Sequence, residues 1–190
     1  MSLLMNAKMA NDEKNLKLYY EVAVKYFGDT PIGKSVKERF SPVIKIAVGK
    51  AVPAFKVKSF EDTTIFITNE TFKGKVYLLD FWATWCGPCV GEMDKLHKAY
   101  DKFKSKNFQI LSLSLDRKSE EITKFRGDKW KMPWLHTFVT NDKKVTDAFE
   151  VIAIPRPLLI DEKGMIVAMD ADLRGDQLEK TLAKYLGEPK

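Results

Sequence analysis

Cysteine and histidine are almost absent from this chain of 190 residues: it has two of each, Cys86 and Cys89, His97 and His136. A structural zinc site normally needs four N or S ligands, and neither histidine stands at a ligand spacing from the pair, so such a site would have to be shared between chains. A strong charge of one sign is missing too. The 32 Lys and Arg exceed the 26 Asp and Glu by only six, and the lysines are interspersed with acids, as in K-V-K-S-F-E-D. A nucleic-acid footprint requires clustering on one face, so nucleic acid is not an expected partner. No apolar run approaches the roughly 18–20 residues of a membrane helix, and no repeat or low-complexity tract interrupts the chain. The start, M-S-L-L-M-N-A-K-M-A-N-D, has neither an apolar h-region nor a cleavage site. Two expectations are open: a cytoplasmic protein, or an exported one whose signal is not in this sequence.

What is present divides into two textures. Residues 1–50 form a helical lead-in. In D-E-K-N-L-K-L-Y-Y-E-V-A-V-K-Y-F-G, the spacing of Leu16, Tyr19, Tyr20, Ala23, Tyr26 and Phe27 predicts an amphipathic helix over 12–28, stopped by Gly28. A shorter helix continues to Phe40, before Ser41-Pro42. Residues 51–190 make the main domain. A-F-K-V-K-S-F and T-T-I-F-I-T alternate apolar with polar about an E-D turn, which predicts a β-hairpin. V-Y-L-L-D-F-W (76–82) is a nearly continuous apolar run, the pattern of a central strand covered on both faces. A helix from about Cys86 to Lys104, the strand Q-I-L-S-L-S-L-D, a helix over 119–130, a short helix near 142–150 and the hairpin P-L-L-I-D/M-I-V-A-M-D come next. The amphipathic helix D-Q-L-E-K-T-L-A-K-Y-L, ended by Gly187, closes the domain. A βαβ half followed by a ββα half predicts an α/β sandwich with a mixed sheet.

The chemistry concentrates in D-F-W-A-T-W-C-G-P-C-V-G-E-M (80–93). A disulfide closing so short a loop would be a poor staple, since the entropic gain grows with loop length. As a redox couple the neighbours make sense. Cys86 opens a helix, where unpaired N–H groups and the helix dipole favour the thiolate, and Cys89 lies one turn inward on the same side. Cys86 is then the attacking thiolate and Cys89 the resolving one. Pro88 is tolerated in a first helical turn, and Gly87 leaves room for a substrate. Asp80, inside a buried strand, must be neutral, paired or functional; with a raised pKa it could exchange a proton with Cys89. Glu92, one turn after Cys89, reads by itself as a solvated helix residue. Pro155 reads as a strand boundary, and nothing local demands a cis bond there.

These motifs together, with G-K-A-V-P-A-F, S-L-D, I-P-x-x-L-L-I-D-x-x-G and D-L-R-G, resemble the TlpA/ResA-like thiol–disulfide oxidoreductases of the bacterial cell envelope, in the thioredoxin superfamily, over about residues 49–187. The resemblance implies a thioredoxin-like sandwich and assigns roles by position. Cys86 matches the nucleophile, Cys89 the resolving cysteine, Asp80 the buried proton shuttle, Glu92 a catalytic glutamate and Pro155 the cis-proline beside the pair. Trp85, Gly87, Pro88, Ile154 and Pro155 are the expected substrate-binding positions. No cofactor or metal is implied beyond the redox-active disulfide. The implied partners are protein thiols or disulfides and an upstream electron donor, the implied location periplasmic, and a monomer is expected. The lead-in is similar to the segment before the thioredoxin domain in larger relatives. Two positions depart from the family: Asp94 replaces a proline, which implies a helix without the usual kink, and Pro157 stands where Thr is common.

Gly-Pro between the cysteines resembles thioredoxin, whose couple is reducing at about −270 mV. The expected activity is reduction of protein disulfides; oxidase or isomerase activity, or a binding module with an idle couple, are the alternatives. A thiol peroxidase would need Pro and Thr where Leu79 and Ala83 stand.

Overall fold

The structure, a computed structural model, describes residues 2–10, 12–40, 46–128, 130–140 and 142–188. The chain falls into two compact units, Met1–Ile44 and Lys45–Lys190.

The first unit is three helices: α1 Ser2–Met9, α2 Glu13–Phe27 and α3 Pro31–Phe40. The Asp12 carboxylate caps α2 by accepting the Asn15 N–H at 3.1 Å. Leu4, Val36 and Phe40 are buried, with Leu16, Tyr19, Tyr20, Ala23 and Val24 packed on them. Tyr26 and Phe27, expected on that inner stripe, are 69% and 50% exposed. They lie at the end of α2, where Thr30 turns the chain by donating its hydroxyl to the Phe27 carbonyl at 2.6 Å. At Gly33 a Cβ would stand 1.7 Å from that same carbonyl oxygen, so only glycine lets α3 start so close to α2. Helix α1 falls within the expected helical lead-in but has no boundary of its own in the sequence; its inward residues, Leu4 and Ala7, are too few to make a periodic signal. The expected stop at Ser41-Pro42 lies outside the described residues.

The second unit begins with an antiparallel hairpin, β1 Lys56–Lys58 and β2 Phe66–Thr68. Its turn is the expected E-D: Asp62 accepts the Thr64 N–H at 2.9 Å. Next come β3 Val76–Trp82, α4 Gly87–Gly91, α5 Met93–Phe103, β4 Phe108–Ser114, α6 Ser119–Asp128, β5 Leu135–Phe138 and α7 Lys143–Ala148. The chain ends with β6 Arg156–Ile160, β7 Ile166–Met169, a 3-10 turn Asp170–Leu173 and α8 Gln177–Leu186. Five strands form a mixed sheet in the order β5-β4-β3-β6-β7, parallel at β3–β4 and β4–β5, antiparallel at β3–β6 and β6–β7. This is the expected thioredoxin-like sandwich with its hairpin extension.

The central strand β3 explains its own composition. Successive side chains alternate faces, and both faces are covered. Val76, Leu78 and Trp82 join Met93, Leu96, Ala99, Phe103, Leu178 and Leu182 in one core. Tyr77, Leu79 and Phe81 join Phe55, Phe72, Val145 and Phe149 in the other. The same alternation turns Asp80 to the Leu78 and Trp82 face, the side on which α5 packs.

The helix expected from Cys86 to Lys104 divides at Glu92. The Glu92 N–H bonds to the Cys89 carbonyl at 3.1 Å, a three-residue step, before the ladder resumes with Leu96 N–H on Glu92 O at 2.9 Å. The break therefore needs no proline two residues later, and the straight helix that Asp94 implied is not what forms.

Candidate active site

Strand β3 delivers the chain to the end of the sheet, and a buried carboxylate fixes the loop that leads from it to the cysteines. Leu115 N–H bonds to Trp82 O at 2.8 Å, which extends the β3–β4 pairing and sets Asp116 beside Thr84. The Asp116 carboxylate accepts the Thr84 N–H at 2.9 Å, the Thr84 hydroxyl at 2.6 Å and the Ser114 hydroxyl at 2.7 Å. Asp116 has no exposed surface, so these donors stand in for water. Asp116→Ala would strand one buried donor, the Ser114 hydroxyl, and two part-buried ones on Thr84. It is expected to lower stability by roughly 2–4 kcal/mol in denaturant titration, against about 1 kcal/mol for Thr84→Ser, which keeps the hydroxyl. The sequence offered a signal for this residue, an acid just past a buried strand, but no partner for it.

Beyond this clamp Cys86 caps α4. Its N–H bonds to Ala83 O at 3.1 Å, and its Sγ accepts the Cys89 N–H at 3.2 Å. The two cysteines form a disulfide, S–S 2.06 Å. Both residues are nearly buried, Cys86 at 5% exposed and Cys89 at 2%. Outward, Trp85 is 63% exposed, and Gly87 and Pro88 are exposed beside it. The Ile154–Pro155 peptide bond is cis, and both residues are half-buried. Ile152, which carried no signal in the sequence, is 65% exposed in the same loop.

Inward, a cavity about the size of one water molecule is lined by Asp80, Cys89, Glu92, Leu96, Pro155, Pro157, Leu173 and Arg174. Asp80 and Pro157 are register partners across β3 and β6; the unexpected proline thus forms a wall of this cavity. Burial, and then the charge of Glu92, push the Asp80 carboxyl up to about 7. Glu92 is not the solvated helix residue its position alone suggested. Its Oε2 accepts the Gly175 N–H at 2.7 Å, and its Oε1 lies 3.8 Å from Arg174 Nε. The structure therefore brings Asp80, Cys89, Glu92 and Pro155 around one cavity, with Trp85, Gly87 and Pro88 on the outer side of the disulfide.

The histidines are occupied elsewhere. His97 packs edge-on against Trp134 at 4.8 Å and His136 stacks on the same ring at 6.1 Å. Burial and the nearby Arg126 push His136 down to about 4, so it is neutral in this packing at ordinary pH. Among the described residues no three potential metal ligands gather.

A vicinal cysteine pair, here a disulfide, at the start of a helix, with a cis-proline and a buried acid lining the cavity at the inner cysteine, all at the end of a five-stranded mixed sheet, defines a thioredoxin-fold thiol–disulfide oxidoreductase. Proteins of similar sequence and structure agree with this class and narrow it. The Redoxin family model matches residues 47–183, and the chain belongs to that family. The thiol-disulfide oxidoreductase ResA of Bacillus cereus (strain ATCC 10987 / NRS 248) is 33% identical over 150 residues, covering 77% of this chain and 81% of the relative. ResA of Bacillus subtilis (strain 168) is 26% identical over 142 residues, 74% of this chain and 75% of its own length. Among solved structures, the thioredoxin domain of a Bacteroides vulgatus thiol-disulfide oxidoreductase superposes with a TM-score of 0.68 at 33% identity, covering 74% of this chain and 99% of that one. A thiol:disulfide interchange protein from Bacteroides sp. gives 0.68 at 32% identity, covering 77% and 95%. The protein is a TlpA/ResA-like member of the thioredoxin superfamily, and its function is thiol–disulfide redox exchange. Among the described residues, no helix is long and apolar enough to cross a membrane.

Proposed function

We propose that the protein reduces disulfides in other proteins through Cys86 and Cys89. The observation that carries the reading is the placement of Asp80 and Glu92 around the cavity that reaches Cys89, while the outer side of the pair is open at Trp85, Gly87 and Pro88. In the reduced protein the Cys86 thiolate attacks one sulfur of a substrate disulfide. A mixed disulfide forms, and the first substrate thiolate leaves and takes a proton from water. Cys89 then gives its proton to the Asp80 carboxylate and attacks Cys86 Sγ. The intramolecular disulfide forms, and the second substrate thiolate leaves. Two electrons have passed to the substrate, and an external dithiol donor must return them. Asp80 suits this task because a carboxyl titrating near neutrality both accepts and releases a proton at ordinary pH.

Trp85, Gly87, Pro88, Ile154 and the cis Pro155 form the substrate-binding rim, with Ile152 extending its apolar surface. The reaction needs no metal or organic cofactor. The resemblance to envelope oxidoreductases supports a periplasmic setting, and the protein is read as a monomer. The lead-in, expected over residues 1–50, corresponds to the unit Met1–Ile44, and the catalytic domain to Lys45–Lys190. The direction of electron flow is read from the equilibrium reduction potential of the cysteine pair, since a reductase must be more negative than its substrates.

A further inference from the structure

Glu92 is held from outside its own helix. The Gly175 N–H reaches Oε2 at 2.7 Å, and the Arg174 guanidinium faces Oε1 at 3.8 Å. Gly175 has φ +54°, the left-handed conformation that glycine adopts without a steric penalty, and this turn aims its N–H at the carboxylate. Arg174 Nε is buried and has no hydrogen-bond acceptor among the described residues, where its one ion-pair partner is Glu92. Other charges on the surrounding elements are engaged elsewhere. Lys95 pairs with Asp176, Arg156 donates to Phe149 O and faces Asp170, and Asp116 holds Thr84. Around the cavity the charged or titratable groups are therefore Asp80, Glu92 and Arg174, beside the disulfide-bonded Cys89.

We propose that Arg174 is a positioning residue: together with the Gly175 amide it holds the Glu92 carboxylate over the cavity shared by Asp80 and Cys89, and so sets the proton balance of the acid pair. The proposal rests on the reading of Asp80 and Glu92 as the acids that serve Cys89. The D-L-R-G turn is thus part of the redox machinery, although it lies more than eighty residues from the cysteines in sequence. At 3.8 Å and partly exposed, the ion pair is weak in energy; its effect is on where a flexible carboxylate spends its time.

The test follows the carboxyl NMR shift of Asp80 against pH in the oxidised protein. Glu92→Gln removes the neighbouring negative charge and is expected to lower the Asp80 midpoint, which calibrates the coupling. Arg174→Met keeps the apolar stem and removes the guanidinium. Held then by the Gly175 N–H alone, Glu92 spends more of its time toward water, and the Asp80 midpoint falls in the same direction by about half a pH unit. Arg174→Lys, which keeps the charge, restores most of the difference. The sign discriminates between mechanisms: loss of a cation acting only through space would raise the midpoint of a nearby carboxyl. A midpoint unmoved or raised in Arg174→Met, while Glu92→Gln lowers it, overturns the positioning role and leaves the acid pair intact. A midpoint that Glu92→Gln does not move shows the two acids to be uncoupled and overturns both.

Discussion

Cys89→Ser is expected to turn the protein into a trap. The Cys86 thiolate still attacks a substrate disulfide, but no second thiol is present to release the adduct, so protein and substrate stay joined. Intact-mass spectrometry of the reduced variant mixed with an oxidised protein substrate should show a one-to-one adduct that a reducing agent dissolves. Cys86→Ser should show none. Its disulfide-exchange rate should fall by more than about a thousandfold, because a serine hydroxyl at neutral pH cannot take the thiolate's part. The asymmetry comes from position. Cys86 caps the helix beside the exposed Trp85, Gly87 and Pro88, and its sulfur already accepts the Cys89 N–H, a donor that favours a thiolate in the reduced state. Cys89 faces the inner cavity with the acids. An adduct formed equally well by Cys86→Ser would reverse the assignment.

Asp80→Asn should make the protein more stable and a poorer catalyst. The folded carboxyl titrates at about 7, raised from 3.8 chiefly by burial and next by Glu92. As pH rises from 3.8 toward 7, the unfolded chain loses this proton while the folded chain keeps it. The folded state then binds more protons than the unfolded state, and stability falls with increasing pH until the full penalty is reached above about pH 7. The penalty is of order 4 kcal/mol, from about 1.4 kcal/mol for each unit between the two values. Asparagine carries no such penalty. Denaturant titrations should therefore find Asp80→Asn close to the parent at about pH 4 and more stable by several kcal/mol at about pH 8. In single-turnover experiments at about pH 7, resolution of the mixed disulfide should slow at least about tenfold, because the proton acceptor for Cys89 is gone. The dependence of that step on a group titrating near neutrality should disappear with it. Unchanged resolution would confine Asp80 to a structural role.

The gain in stability on removing Asp80 and its loss on removing Asp116 set two buried acids in contrast. Asp116 is met by donors from Thr84 and Ser114. Asp80 instead shares its cavity with a second carboxylate, Glu92. A sequence shows that an acid lies in or beside an apolar strand, but not which of these situations it will meet. Asp80 was legible because the run around it is covered on both faces and the cysteine pair stands just past the strand's end. Asp116 was not, since its partner Thr84 sits on a neighbouring loop that only the β3–β4 register brings close.

Much of the fold could be read from periodicity. The hairpin at 56–68, the continuous run of β3 and the closing helix up to Gly187 all obey local patterning. What failed was set by contacts at a distance. Glu92 divides the active-site helix while its carboxylate bonds to Gly175, and proline arithmetic at position 94 could not anticipate that. Tyr26 and Phe27 kept the helical spacing yet lie exposed at the end of α2. The cis bond at Ile154–Pro155 had no local signature and was expected only from the resemblance. Arg174 in D-L-R-G carries no local signal, because its contact to Glu92 forms only once the sheet has brought the two segments together.

The direction of electron flow stands or falls on the equilibrium reduction potential of Cys86–Cys89, from titration against a dithiol redox buffer followed by thiol labelling. A reductase should show a single two-electron transition at about −250 mV or below. A value between about −120 and −180 mV would identify an oxidant or isomerase, and would contradict the proposed reduction of substrate disulfides.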